Sequence, residues 1–252
     1  MKDQIKVRGM VIAQAPIGEY DRRVVLLTLE KGKISAFARG ARRPNSQLIG
    51  ASQPMTFGTF YLYAGKNSYT LLSAEIENYF AELKKDLTKV TYGTYFLELA
   101  SFLTRENNDE RQILKLLYQS LRVLEKGTVP NRLVRCIYEI RILTCFGEGM
   151  QTFSCCQCGK TEDLTHFSAL RGGVLCGSCK RQAVDAIPLY DATLYTLQYV
   201  IATPIEKVFS FVVSHEILQI LEKISRDFLN RHVKEEFKSL EMLDVLEGME
   251  AF

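Results

Sequence analysis

The chain has 252 residues, of which 47% are hydrophobic and 24% are charged, and its net charge is only +3. This composition excludes disordered and fibrous proteins, and the length suits one large hydrophobic core with a smaller module beside it. No apolar run approaches the ~18 residues of a membrane span, and the amino-terminal MKDQIKVRGM holds no signal-peptide core. We therefore expect a cytoplasmic protein.

Residues 1–80 have the pattern of short β-strands. Three segments there are rich in β-branched and aromatic residues: IKVRGMVIAQA, RRVVLLTLEKGKISAFARG and TFGTFYLYAGKNSYTLLSAEI. Turns are predicted at residues 17–19, 30–33 and 65–67, around Gly18, Gly32 and Gly65. About five short strands within this length favour a small closed barrel over a sandwich.

Positive charge is concentrated in the first 50 residues, which hold ten basic and four acidic side chains, a net of +6. The remaining 202 residues therefore carry −3. The densest cluster is ARGARRP, residues 38–44, where a loop at Gly40 presents Arg39, Arg42 and Arg43. Such clusters bind phosphate backbones, and aromatic side chains beside them can stack on bases. The alternative is a solvated surface that only keeps the protein soluble.

Beyond residue 80 the apolar period becomes helical. Helices are predicted over residues 109–126, with Gly127 as the carboxy-terminal cap, and over 131–145, ended by Gly147. Two more are predicted from Asp191 and Ser214, both good amino-terminal caps. A cysteine-rich segment interrupts this helical region.

That segment, residues 155–179, holds two CxxC pairs, Cys155 with Cys158 and Cys176 with Cys179, separated by 17 residues. This spacing lies in the window typical of zinc sites, because two tight knuckles can aim four thiolates at one tetrahedral ion. Four sulfur ligands leave no position for water, so the sequence predicts one structural zinc ion per chain. Cys156 could exchange with Cys155 as the first ligand, and His166 between the knuckles is interpreted as a loop residue.

A disulfide clasp and a thiol-redox site are two other interpretations of the cysteines, and a zinc deaminase is a third interpretation of the metal site. A disulfide clasp does not persist in a reducing cytoplasm. A thiol-redox site needs one CxxC that opens a helix after a strand, whereas two matched pairs occur here. A zinc deaminase is excluded because neither CxxC follows a proline and no H-x-E precedes them.

Several stretches together resemble the RecO family of bacterial DNA repair proteins, over nearly the full length. They are VVLLTLEKGKISAFARGARRPNSQLIGASQPMTFGTFYLY at residues 24–63, FSCCQCGK at 153–160 and FSALRGGVLCGSC at 167–179. The resemblance implies an α+β protein with an amino-terminal OB-fold barrel and an α-helical domain carrying a four-cysteine zinc site. The expected domains are residues 1–80 and 81–252, with the zinc segment inserted at 153–181.

The family resemblance also implies the function of a recombination mediator. Such proteins bind single- and double-stranded DNA, anneal complementary strands and, with RecR, promote RecA loading onto DNA coated by single-strand-binding protein. The implied partners are DNA, RecR, the carboxy-terminal tail of single-strand-binding protein and, indirectly, RecA, in the cytoplasm at the nucleoid. By this analogy the residues expected to contact DNA are Lys6, Arg8, Arg22, Arg23, Lys31, Lys33, Arg39, Arg42 and Arg43.

No catalytic residues are predicted. Three scattered histidines support no Ser-His-Asp arrangement, and a GxxxxGK[ST] nucleotide loop is absent from the sequence. Strand annealing requires only a surface that neutralises two phosphate backbones. An RNA-binding protein with an OB-fold and zinc site, or a protein-interaction scaffold, remains the alternative, because electrostatics alone does not separate DNA from RNA.

Overall fold

A closed barrel of five strands forms the amino-terminal part of the chain, with the strand order β1-β2-β3-β5-β4. The strands are β1 (Gln4–Ile17), β2 (Asp21–Thr28), β3 (Gly32–Ala38), β4 (Phe57–Ala64) and β5 (Tyr69–Asn78). All neighbouring pairs are antiparallel except β3 and β5, which pair in parallel through Ala36 with Tyr69 and Phe37 with Thr70. The OB-fold prediction is confirmed.

The computed structural model describes residues 4–65 and 68–250, so the predicted turn at 65–67 lies partly outside the described residues. The chain divides into two units. One comprises the chain up to Glu125 together with the part from Phe237 onward, and the other spans residues 126–236. None of the described helices is long and apolar enough to cross a membrane.

The barrel core follows the two-residue period of the strands, because alternate side chains point to opposite faces of a strand. Its fully buried members are small or branched apolar side chains with one aromatic ring among them: Val7, Val11, Val24, Leu26, Ile34, Ala36, Phe60, Leu62 and Leu71. Alternate positions on the same strands, such as Arg23 and Phe37, are exposed. The core thus leaves the charged side chains of β2 and β3 on the outside.

Gly9 and Gly58 face each other across β1 and β4 and allow the strands of the barrel to approach closely. A Cβ atom on Gly9 would lie 2.2 Å from the backbone oxygen of Leu27, and one on Gly58 would lie 2.3 Å from the oxygen of Glu75. Both distances are far below van der Waals contact. Only glycine therefore fits at these two positions without moving the neighbouring strand.

We expect Gly9→Ala to lower the free energy of unfolding by about 1–3 kcal/mol, the usual cost of overpacking. Gly248→Ala is the control, since nothing lies within 4 Å of the added atom and alanine favours its helix. Urea denaturation of the two variants measures the difference. Equal stability of both variants would show that the barrel absorbs the extra atom without cost.

Helices complete the first unit: α1 (Leu48–Ala51), α2 (Leu87–Leu103), α3 (Arg111–Lys126) and, from the end of the chain, α7 (Lys238–Glu250). The predicted helix over 109–126 is confirmed as α3, and Gly127 follows it with φ of +65°. Helices α2 and α7 were not predicted. They lie side by side, and the Ser239 hydroxyl donates to the Glu98 carboxylate over 2.5 Å.

The second unit contains α4 (Asn131–Phe146), α5 (Asp191–Ala202) and α6 (His215–His232). The Ser214 side chain caps α6 by accepting a hydrogen bond from the Ile217 amide, as predicted. The prediction for Asp191 was wrong by one position, because Tyr190 is the cap and Asp191 is already helical. Asp191 instead lies in the first turn, where a negative charge favours the helix dipole.

Candidate nucleic-acid interface and metal centre

Two loops at one end of the barrel are bonded to each other. The ARGARRP loop (residues 38–44) turns at Gly40, whose φ is +66°, and the Gly40 amide donates to the Asp21 carboxylate over 2.7 Å. The Arg42 amide donates to the Tyr20 carbonyl over 2.8 Å, and the Arg42 guanidinium donates to the Gly18 carbonyl over 3.2 Å. These bonds hold the ARGARRP loop against the β1–β2 loop (residues 18–20).

Five arginines belong to this end of the barrel, two in β2 and three in the ARGARRP loop. Arg43 lies over the Tyr20 ring, 5.1 Å from its centroid. Arg22 donates to the Ile49 carbonyl and the Ser52 hydroxyl, over 3.2 and 2.8 Å. Each guanidinium has five donors, so these bonds orient the group and leave donors for an anion. We call Arg22, Arg23, Arg39, Arg42 and Arg43 the arginine cluster.

A cleft of about 570 Å³, which we call the Phe37 cleft, lies beside Arg23 of the arginine cluster, on the outer face of β2 and β3. Arg23, Ser35, Phe37 and Tyr69 line it, and Arg23 donates to the Ser35 hydroxyl over 2.7 Å. The Phe37 ring remains 38% exposed. Such a cleft can take a flat aromatic group on Phe37 with an anion beside Arg23.

The other predicted basic residues lie away from this cleft. Arg8 binds the Glu77 carboxylate with two donors, at 3.0 and 2.6 Å, and these hydrogen bonds raise the pKa of Arg8. Lys33 donates to the Ser101 carbonyl over 2.5 Å, and burial lowers its pKa. Lys6 lies over Tyr61, and Lys31 lies in the turn at the far end of β2.

The sequence did not single out Tyr20 or Glu106. Tyr20 is 41% exposed and underlies Arg43, and Glu106 lines the Phe37 cleft. An aromatic residue in a turn next to basic strands is a signal that could have marked Tyr20. Glu106 is distant in sequence, and only the fold brings it to the cleft.

Four cysteine sulfurs meet in the second unit. The Sγ atoms of Cys155, Cys158, Cys176 and Cys179 all lie within 4.8 Å of one another, and those of Cys158 and Cys176 are 3.8 Å apart. Four sulfurs at about 2.3 Å from a tetrahedral zinc ion are separated by roughly 3.8 Å. The donor set and its dimensions therefore fit a metal ion of the zinc type. Cys156 is outside this group of sulfurs.

Strands β6 (Leu164–Ser168) and β7 (Gly173–Cys176) position the two knuckles. Strand β7 ends at Cys176, and the turn from it brings Cys179 back, with the Cys179 amide donating to the Cys176 carbonyl over 3.0 Å. In the first knuckle the Gly159 amide donates to the Cys155 carbonyl over 2.8 Å. His166 lies in β6, so its interpretation as a loop residue was wrong. The short strand β8 (Ile187–Pro188) completes this sheet.

The electrostatics of the cysteine cluster favour thiolates. Burial alone would raise the pKa of Cys155, but amides of Cys176, Cys158 and Gln157 donate to its sulfur and lower the pKa to about 6. The Cys179 amide lowers the pKa of Cys176 in the same way. The pKa of Cys179 is raised to about 12, chiefly because its sulfur shares a hydrogen bond with Cys176. Backbone amides thus favour, at Cys155 and Cys176, the thiolate form that metal binding requires.

Comparison with protein families divides the chain just after the barrel. The family description "Recombination protein O N terminal" matches residues 1–80, and "Recombination protein O C terminal" matches residues 84–241. The chain belongs to the RecO family. A curated RecO, the DNA repair protein of Acetivibrio thermocellus, is 32% identical over 96% of this chain and 97% of its own length.

Two further RecO relatives are similar to most of this chain. The DNA repair protein RecO of Thermoanaerobacter sp. is 29% identical over 97% of this chain and 99% of its own length. That of Bacillus pumilus is 34% identical over 77% of this chain and 75% of its own. The resemblance to the RecO family predicted from the sequence is thus confirmed along nearly the whole chain.

Proposed function

We propose that this RecO-family protein acts in DNA repair as a recombination mediator that binds single- and double-stranded DNA and anneals complementary strands. The observation that supports this most is the arginine cluster at one end of the barrel, where Arg23 and the exposed Phe37 ring line the same cleft. Phosphates would bind the arginines, and unstacked bases would stack on Phe37 and Tyr20. Strands 2 and 3 are the face on which OB-folds bind oligonucleotides.

The arginine cluster is proposed to carry most of the affinity, with Lys6, Arg8, Lys31 and Lys33 in support. Arg8 and Lys33 are held by Glu77 and the Ser101 carbonyl, so their contribution would be to the long-range potential of the barrel. Positive potential of this kind speeds encounter with a polyanion. The arginine cluster is therefore proposed to contact the phosphates, and Arg8 and Lys33 are proposed to attract the DNA over longer distances.

The four-cysteine cluster is proposed to bind one structural zinc ion. Such an ion would join the two knuckles and stabilise the second unit without contributing chemistry, since all four ligands come from the protein. We further propose that the protein is not an enzyme, because annealing needs charge neutralisation and close approach of two strands rather than proton transfer.

The remaining parts of the proposal rest on the family. RecR and the carboxy-terminal tail of single-strand-binding protein are the proposed protein partners, and RecA loading onto coated DNA is the proposed outcome, in the cytoplasm at the nucleoid. The domain division at residue 80, with the zinc segment at 153–181, is retained as the functional division. The amino-terminal domain would bind DNA, and the helical domain would carry the zinc site.

Phe37→Ala is expected to weaken binding of a single-stranded oligonucleotide by about 1–3 kcal/mol, roughly 5- to 150-fold, through loss of base stacking. Phe37→Tyr should preserve binding because it keeps the ring. Leu72→Ala, another exposed apolar position in the barrel, is the control for unspecific loss. Fluorescence anisotropy measures all three, and undiminished binding by Phe37→Ala would contradict stacking on this ring.

Competition between matched single-stranded DNA and RNA tests the choice of nucleic acid. We expect DNA to displace RNA at equal or lower concentration, since the proposed contacts use phosphates and base faces and none recognises a 2′-hydroxyl. A clear preference for RNA would favour the RNA-binding alternative.

A further inference from the structure

A second cleft lies at the other end of the barrel, within the first unit. It has a volume of about 280 Å³ and is lined by Leu29 after β2, Phe57 at the start of β4, and Arg111, Leu114 and Tyr118 of α3. Arg8 and Lys115 also border it. We call this the α3 cleft.

The Tyr118 ring is the accessible part of the floor of the α3 cleft, and the Phe57 ring that packs against it is only 7% exposed. The ring centroids of Phe57 and Tyr118 are 4.5 Å apart, with an angle of 47° between the planes. Phe80 packs edge-on against Tyr118 at 5.6 Å. Tyr118 is thereby held in one orientation, while part of its ring remains accessible. A fixed aromatic floor of this kind suits a flat ligand group.

Cationic groups surround the aromatic floor. The Arg8 guanidinium lies 5.3 Å from the centroid of Phe57, and Arg122 lies 5.9 Å from that of Tyr118. Arg111 borders the cleft with its guanidinium 3.3 Å from the Leu29 carbonyl. An apolar aromatic floor with a cationic rim matches a ligand that joins a flat ring to an anion.

The α3 cleft is remote from the Phe37 cleft along the strands. Arg23 near the start of β2 lines the Phe37 cleft, whereas Leu29, just beyond the end of β2, lines the α3 cleft. Arg23 and Leu29 are six residues apart in the chain, and strands rise about 3.3 Å per residue, so these two lining residues lie about 20 Å apart. Two different strands can therefore occupy them at the same time.

We propose that the α3 cleft binds a nucleotide of a second single strand, with the base on the accessible part of the Tyr118 ring and the phosphate between Arg111 and Lys115. This inference rests on the proposed function and adds the site for the second partner in annealing. Two strands held at opposite ends of one barrel are close enough to search for pairing. Binding in both clefts raises the local concentration of one strand near the other.

An acidic peptide is the competing occupant. Glu77 binds Arg8, Glu30 accepts a hydrogen bond of 3.0 Å from the Arg8 amide, and Asp109 lies 3.4 Å from Arg111. These carboxylates oppose a phosphate and a peptide carboxylate alike, so they limit the cleft to few anionic groups. The nucleotide is favoured because its base stacks on the Tyr118 ring, which a run of peptide carboxylates does not do.

The test uses the charge-reversed double variant Arg111→Glu with Lys115→Glu. Its control is Lys126→Glu with Lys223→Glu, which changes the net charge equally outside both clefts. We expect the wild-type protein and the control to bind two labelled oligonucleotides per chain and to anneal complementary strands. The α3 variant should bind one, with its remaining affinity within twofold and its annealing rate at least tenfold lower.

The outcomes separate the two proposals. If both variants anneal like the wild type, the α3 cleft is not the second site, and the proposed function stands. If the wild type itself neither binds nor anneals, the proposed function fails and the inference fails with it. The milder pair Arg111→Gln with Lys115→Gln repeats the measurement should the charge-reversed variant not fold.

Photo-crosslinking gives a direct readout that does not depend on variants. An oligonucleotide carrying 5-bromodeoxyuridine is irradiated with the wild-type protein, and the crosslinked peptides are identified by mass spectrometry. We expect adducts at Tyr118 in addition to those near Phe37. Adducts confined to the Phe37 cleft would overturn the proposal. So would an α3 cleft that binds an acidic peptide, here ten aspartates ending in phenylalanine, and binds no oligonucleotide.

Discussion

Replacing Cys155 or Cys176 by serine is expected to release the metal ion and to destabilise the second unit. Serine offers a hard, protonated oxygen where zinc favours thiolate, and both cysteine side chains are almost fully buried, so water has little access to the lost ligand's position. An ion present at 1,000 times its dissociation constant stabilises the folded state by about 4 kcal/mol, which is the loss we expect. Elemental analysis and urea denaturation measure the two effects.

Cys156→Ser is the matched control, because Cys156 neighbours Cys155 in sequence and lies outside the group of four sulfurs. It should keep one zinc ion per chain and nearly wild-type stability. Wild-type protein prepared without chelators that contains no zinc and is as stable as Cys155→Ser would contradict the structural metal. Zinc retained by Cys155→Ser but lost by Cys156→Ser would mean that Cys156 is the first ligand.

Changing Arg39, Arg42 and Arg43 together to alanine is expected to weaken DNA binding strongly and to lower its salt dependence. Each phosphate contact contributes about 0.7 to the slope of log K against log salt for a single strand, so three lost contacts lower the slope by about 2. At 0.1 M salt this corresponds to roughly 100-fold weaker binding. A salt titration of the affinity for a single-stranded oligonucleotide gives both quantities.

The control for that triple variant changes three exposed lysines elsewhere to alanine, namely Lys126, Lys207 and Lys223. It lowers the net charge equally, so it reports the effect of general charge. We expect its salt slope to stay near that of the wild type. If the two triple variants behave alike, the arginine cluster has no special role, and binding depends only on the total charge of the protein.

The barrel and the cysteine cluster could be predicted from the sequence because both arise from local patterns. Alternation of apolar side chains along β2 and β3 follows from the two-residue period of a strand, and the CxxC pairs follow from the reach of a tight turn. The helices α3 and α4 were predicted for the same reason, since their apolar stripes and following glycines are local.

Helix α2 was not predicted from the sequence because it has no polar face. Its apolar and aromatic residues surround the helix, so the 3.6-residue period is absent, and the many β-branched and aromatic side chains suggest a strand. Only the capping bond from the Lys89 amide to the Asp86 carboxylate, at 3.0 Å, marks its start. Packing in the first unit decides its conformation, which a local pattern does not contain.

The division of the basic residues also required the structure. By sequence, Arg39 belongs to the densest basic cluster, and Arg8 and Lys33 are expected to support it. The fold pairs Arg8 with Glu77, 69 positions away, and directs Lys33 to the Ser101 carbonyl. Such long-range partners depend on strand register, so the sequence located the arginine-rich loop and only the structure shows that Arg8 and Lys33 are held by other groups.

Annealing of two complementary labelled oligonucleotides, each coated with single-strand-binding protein, tests the central claim most directly. The account predicts that the wild-type protein accelerates annealing, that the acceleration fades as salt rises, and that the Arg39, Arg42 and Arg43 triple alanine variant loses it. No acceleration by folded, zinc-loaded wild-type protein at low salt would contradict the account.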